Sequence, residues 1–131
     1  MKVRKEITVA LENAPGRLGH LCGCLAAKKI NIIAISVVES ANMGLVRLVV
    51  DKPAAATKMI RDCCPMTMST EDVLELSAPN KPGVLAKLSA KLGKKRVNID
   101  YVYGTAAGRG KTNLILKPSS IKKAMPLLRG M

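Results

Sequence analysis

The sequence predicts an α+β protein made of two tandem units, each ordered strand, helix, strand, strand, helix, the first with a closing strand and the second without an obvious one, and three observations predict it. The turn "NAPGRL" at residues 13–18 returns as "NKPGVL" at residues 80–85, an offset of 67. Each copy follows an alternating apolar run and precedes leucines at helical spacing. The stretch "NIIAISVV" from Asn31 is answered at the same offset by "NIDYVYGT" from Asn98.

In the first half, Ile7, Val9 and Leu11 alternate with Thr8 and Ala10, which is a strand pattern, and "NAPG" stops it. Pro15 suits a first helical turn, because its missing N–H would be unpaired there. Leu18, Leu21, Cys22 and Leu25 fall at i, i+3, i+4 and i+7 and form the helix's apolar face, with Lys28 and Lys29 at its C-terminal end. The β-branched run "NIIAISVVE" and the run "LVRLVVD" then flank the hairpin loop "SANMG", which contains Gly44. "AAATKMIRDCC" gives a short helix with Ala56, Met59, Ile60 and Cys63 on one side, and a short strand around Met66 to Met68 can close the unit.

The second half repeats this order. "VLELSA" is the strand, "NKPG" the turn, and Leu85, Leu88 and Leu92 the apolar face of a helix whose other face carries Lys87, Lys91 and Lys94. "VNIDYVYGT", the hairpin "AAGRGK" and "TNLILK" follow, and Ile121, Ala124, Met125 and Leu128 mark the last helix. Pairing Pro53 with Pro118 makes the second hairpin shorter than the first by two residues. Only Arg129, Gly130 and Met131 follow Leu128, too few for a closing strand. The βαββαβ order, taken twice, is the ferredoxin-like sandwich, with domains at residues 1–70 and 71–131. The absent last strand leaves Val73 to Ala78 an open edge, where a second copy is expected to pair or exchange strands.

Composition narrows the function classes. No apolar run approaches the length that spans a bilayer, and the acidic residues Glu6 and Glu12 interrupt any signal-peptide core, so a cytoplasmic protein without membrane contact is expected. The net charge of +13 is spread over 22 basic residues and is not gathered into a tail. With no Phe, no Trp and two Tyr the chain lacks stacking platforms, which disfavours nucleic acid as partner and leaves a basic nucleic-acid binder as the alternative. One His and few carboxylates, none repeated at matched places, offer no acid–base pair, and no enzyme activity is expected.

The duplicated turn is where binding chemistry is available. A tight turn entering a helix presents unpaired backbone N–H groups and the positive end of the helix dipole, which suits a carboxylate. Gly16 and Gly83 let a ligand approach without a Cβ in the way, and Asn13 and Asn80 can add a side-chain amide.

On these residues the chain resembles the ACT domains, small regulatory modules that bind amino acids and control metabolic enzymes. "ITVALENAPGRLGHLCGCLAAKKINIIAISVVES" and "VLELSAPNKPGVLAKLSAKLGKKRVNIDYVYG" look like two such openings, and the likeness covers nearly the whole chain as a tandem pair. It implies a ligand site between neighbouring domains, built from one domain's first turn and another's second strand. Carried over, the turns are Asn13, Ala14, Pro15, Gly16, Arg17 and Leu18, and Asn80, Lys81, Pro82, Gly83, Val84 and Leu85. The strand residues are Asn31, Ile32, Asn98 and Ile99. The expected partners are an amino acid, a second copy of the chain and a metabolic enzyme, with no cofactor.

Two further stretches invite other chemistry. "TAAGRGKT" nearly spells a phosphate-binding loop, but "NLILK" after it reads as strand where that motif needs a helix. His20 and Cys24, at i and i+4, share a helix face while Cys22 does not, and two ligands fall short of a metal site. The adjacent Cys63 and Cys64 do not bridge easily, so all four cysteines are expected as reduced thiols and no metal is expected.

Overall fold

The computed structural model describes residues 1–63 and 67–130. In chain order the elements are β1 (Lys2–Glu12), α1 (Arg17–Ala27), β2 (Ile32–Ser40), β3 (Met43–Val50), α2 (Pro53–Cys63), β4 (Met68–Pro79), α3 (Val84–Lys94), β5 (Ile99–Ala106), β6 (Lys111–Pro118) and α4 (Ile121–Leu128). They form two compact units, one of Lys5–Glu71 and the other of Met1–Arg4 with Asp72–Met131. The expected order of elements is observed with one change: the closing strand expected near Met68 and the strand expected at Val73 to Ala78 are one continuous strand, β4.

In the unit Lys5–Glu71 the strands run β2-β3-β1-β4. Ile7 pairs with Leu48, Val9 with Val46 and Leu11 with Gly44, so the alternation read in the sequence puts these apolar side chains on one face. They meet Leu21, Leu25, Ala56, Met59 and Ile60 of the two helices in one core. Leu18 is not part of it: at the helix start it stays 38% exposed, as does Leu85 of the second copy at 45%. Cys22 and Cys63 are half-buried. Cys64 and Met66 lie outside the described residues, and Met68 opens β4.

The other unit orders its strands β1-β4-β6-β5. Leu74 pairs with Leu116 and Leu76 with Leu114, and these meet Leu88, Leu92, Ala124 and Leu128 in a second core. The fourth strand of this unit is the head of β1. Met1–Arg4 pack with Asp72–Met131, and Arg4 grips the Glu75 carboxylate through Nε and Nη2, both at 3.3 Å. The edge expected to lie open along β4 is therefore covered from within the chain, and pairing with a second copy there loses its physical ground. Sequence proximity hid this, because the covering residues stand some seventy positions earlier, the ion pair itself spanning 71.

Both helices before the second strands end alike. Lys29 N–H donates to Ala26 C=O and Ile30 N–H to Leu25 C=O, and Arg96 and Val97 do the same to Gly93 and Leu92. These are Schellman closures, with the left-handed position taken by Lys29 (φ 56°) and Arg96 (φ 57°) where glycine is usual. Each following strand carries a bulge, between Ile32 and Ala34 and between Ile99 and Tyr101.

The hairpins correct the sequence reading. β2 and β3 join through Ala41 and Asn42 alone, both at positive φ, which is the two-residue primed turn whose twist suits a hairpin. Gly44 therefore lies inside β3 and is buried. Ile99 pairs with Pro118 as Ile32 pairs with Val50, so Pro118 answers Val50 and not Pro53. The second hairpin is consequently the longer one, its tip carrying Gly108, Arg109 and Gly110 at positive φ. Strands flank "TAAGRGKT" on both sides, so no helix start receives a phosphate there.

Candidate functional site

The two turns share one geometry. Gly16 (φ 83°, ψ −8°) and Gly83 (φ 91°, ψ −12°) are the N-cap residues of α1 and α3, both left-handed and without a side-chain cap bond. Pro15 and Pro82 thus stand before the cap, outside the first helical turn where the sequence places Pro15. A left-handed φ explains why glycine is needed, and a Cβ there would meet nothing within 4 Å, so the approach to the backbone is open. His20 N–H donates to Gly16 C=O and Lys87 N–H to Gly83 C=O, which close the first turns of the two helices; in the first copy Arg17 N–H is already taken by Ala14 C=O at 3.3 Å.

Each turn is fixed to its own hairpin. Asn13 N–H donates to Asn42 C=O at 2.8 Å, and Asn80 N–H to Gly110 C=O at 2.7 Å. Asn31, Ile32, Asn98 and Ile99 lie at the opposite end of the helices, an 11-residue helix being about 16 Å long. Their local work is structural: Asn31 N–H donates to Asp51 Oδ1 and Asn98 N–H to Ser119 Oγ, both at 2.9 Å. Asn98 also donates its amide to Asp100 Oδ1 at 3.0 Å. Within one unit the structure does not bring turn and strand residues together.

The two copies differ in charge. In the first, the Glu12 carboxylate sits beside the helix start, 3.3 Å from Arg17 Nη2, and opposes a second anion. In the second, Pro79 and Val84 hold the matched positions and remove both charges. A cleft of about 490 Å³ opens there, lined by Ala78, Pro79, Lys81, Pro82, Gly83, Val84, Lys87, Leu88, Lys91 and Gly130. Lys87 and Lys91, which the sequence places only on an outward helix face, join Lys81 around an apolar floor. Their i, i+4 spacing was the available signal.

A family profile described as an ACT domain pair matches residues 1–128. The chain belongs to this family. Among solved structures, a Bacteroides thetaiotaomicron protein is 34% identical, with 96% of this chain and 86% of that one covered, at a TM-score of 0.89. The ligand-free regulatory subunit of aspartate kinase from Thermus thermophilus is 14% identical, with 97% and 95% covered and a TM-score of 0.70. The aspartokinase alpha and beta subunits are 16% identical, with 98% and 95% covered and a TM-score of 0.67. These two share the fold with the ACT pair described here. No curated protein matches significantly. Among the described residues no helix is long and apolar enough to cross a membrane.

Proposed function

We propose that this ACT pair is a non-catalytic regulatory module that senses an amino acid and passes the signal to a metabolic enzyme in the cytoplasm. The observation that carries the reading is the lysine-lined cleft at Gly83. An α-carboxylate placed there faces the first-turn amides of α3 and the positive end of its dipole, while Lys81, Lys87 and Lys91 favour a ligand with a second negative charge. An acidic amino acid combines these charges. The family relationship supports a regulatory role, and the aspartate kinase regulatory subunit with the same fold is consistent with it.

A second copy of the chain is part of the proposal. β2 is an outer strand and exposes Ile35, Val37 and Val38, and Leu18 is exposed at the start of α1. Pairing along β2 would cover this apolar strand and would bring Asn31 and Ile32 of one copy toward a turn of the other. Ligand binding then shifts pairing by its differential affinity for the two states.

Thermal-shift measurement with the twenty amino acids tests the reading. Saturation at about 100 times Kd adds about 2.7 kcal/mol to stability. Lys87→Ala and Lys91→Ala should weaken the response to the same ligand. A flat response to all twenty, with salt-dependent RNA binding instead, would replace the sensor by the nucleic-acid alternative.

A further inference from the structure

The unit Lys5–Glu71 holds a side-chain cluster that amino-acid sensing does not use. His20 and Cys24 stand one turn apart on α1, and Cys63 ends α2. His20 Nε2 lies 3.8 Å from the Cys24 sulfur and 3.5 Å from the Cys63 sulfur. All three donor atoms lie within 4.8 Å of one another. Sequence spacing counts only two ligands here, and the third arrives because α2 packs beside α1.

The distances have a specific meaning. A tetrahedral ion with sulfur at about 2.3 Å and imidazole nitrogen at about 2.05 Å sets its S···N edge at about 3.6 Å. The two S···N edges bracket that value, and with the two sulfurs within 4.8 Å of each other, against about 3.8 Å around such an ion, side-chain rotations close the set. Two thiols and an imidazole select a borderline-soft cation. Each thiol sheds its proton on binding, so two thiolates cancel a divalent charge and the basic protein does not repel the ion. His20 is exposed while Cys24 and Cys63 are half-buried, which gives an entry path from solvent beside a partly dry floor. The second unit supplies a built-in contrast, with Lys87 and Lys91 at the places of His20 and Cys24. One helix face has been turned to anions in one unit and to ligands for a cation in the other.

We propose that His20, Cys24 and Cys63 bind a thiophilic divalent cation, zinc in the first instance, which clamps α1 to α2 and leaves a fourth position for water or an outside ligand. The site is independent of the amino-acid reading.

The test uses the full chain, reduced and stripped of metal, titrated with Zn²⁺ against a chromophoric chelator and with Co²⁺ followed by absorption. One equivalent should bind per chain, with a thiolate-to-cobalt charge-transfer band and the strong visible bands of tetrahedral cobalt. Cys24→Ser, Cys63→Ser and His20→Gln should each weaken binding by about tenfold or more. Cys22→Ser, an off-site thiol, should leave it unchanged. The cobalt spectrum of the unaltered protein decides without relying on any variant's folding. A spectrum without the thiolate band, affinity that survives Cys63→Ser, or a Cys24–Cys63 disulfide in a protein that binds no zinc when reduced would each overturn the assignment.

Discussion

Removing Lys2–Arg4, so that Met1 precedes Lys5, tests the unexpected division of β1 between two units. The lost terms can be ranked from the structure. Met1 and Val3 are each 44% exposed, so little apolar burial is at stake. The Arg4–Glu75 pair, with side chains 28% and 14% exposed, contributes about 1 kcal/mol at most once solvent screening is allowed for. Backbone hydrogen bonds to β4 contribute about 1 kcal/mol each and therefore dominate. The expected loss is about 2–4 kcal/mol, or a fall in local protection of about 30- to 700-fold. Hydrogen exchange followed by mass spectrometry reads this along Val73–Leu76 and in α4, while the β2–β3 hairpin keeps its protection. Unchanged exchange in β4 would refute the reasoning. So would a loss reproduced in full by Arg4→Ala, since the ladder bonds would then be idle.

Gly104→Ala should destabilise by about 1–3 kcal/mol in urea titration, because a Cβ there would stand 2.5 Å from Leu114 Cδ2 and 3.0 Å from Asn113 O. Lys29→Gly and Arg96→Gly should each stabilise by about 0.5–1 kcal/mol, relief of the left-handed backbone exceeding the added unfolded-state entropy; a loss of stability would count against the closure described. Gly83→Ala should cost about 1–2 kcal/mol through backbone strain alone, as the surrounding space is open. If the cleft is the amino-acid site, that variant also blunts the ligand-induced thermal shift by more than its own stability loss accounts for.

Local patterns were legible where neighbours in sequence decide the outcome. Ile7, Val9 and Leu11 had to share a face, and the two P-G turns had to precede helices, because strand pleat and turn sterics act within a few residues. What escaped depended on distant partners. Leu18 and Leu85 fit the apolar spacing of their helices, yet the first turn overhangs the core and leaves them exposed. Hairpin register could not be taken from Pro53 and Pro118, since pairing with the neighbouring strand sets it. At the candidate sites, Gly16 and Gly83 were readable from turn chemistry. Cys63 meeting His20, and Lys81 meeting Lys87 across a cleft, required the fold.

The split of β1 also bears on how the chain comes into being. During synthesis Met1–Arg4 leave the ribosome well before β4, where their resting place lies, so these residues must wait while Lys5 onward is already free to find β3. Such a long closure slows assembly. A gene cut after residue 71 would yield two unequal pieces, the later one deprived of a strand that only the earlier one encodes.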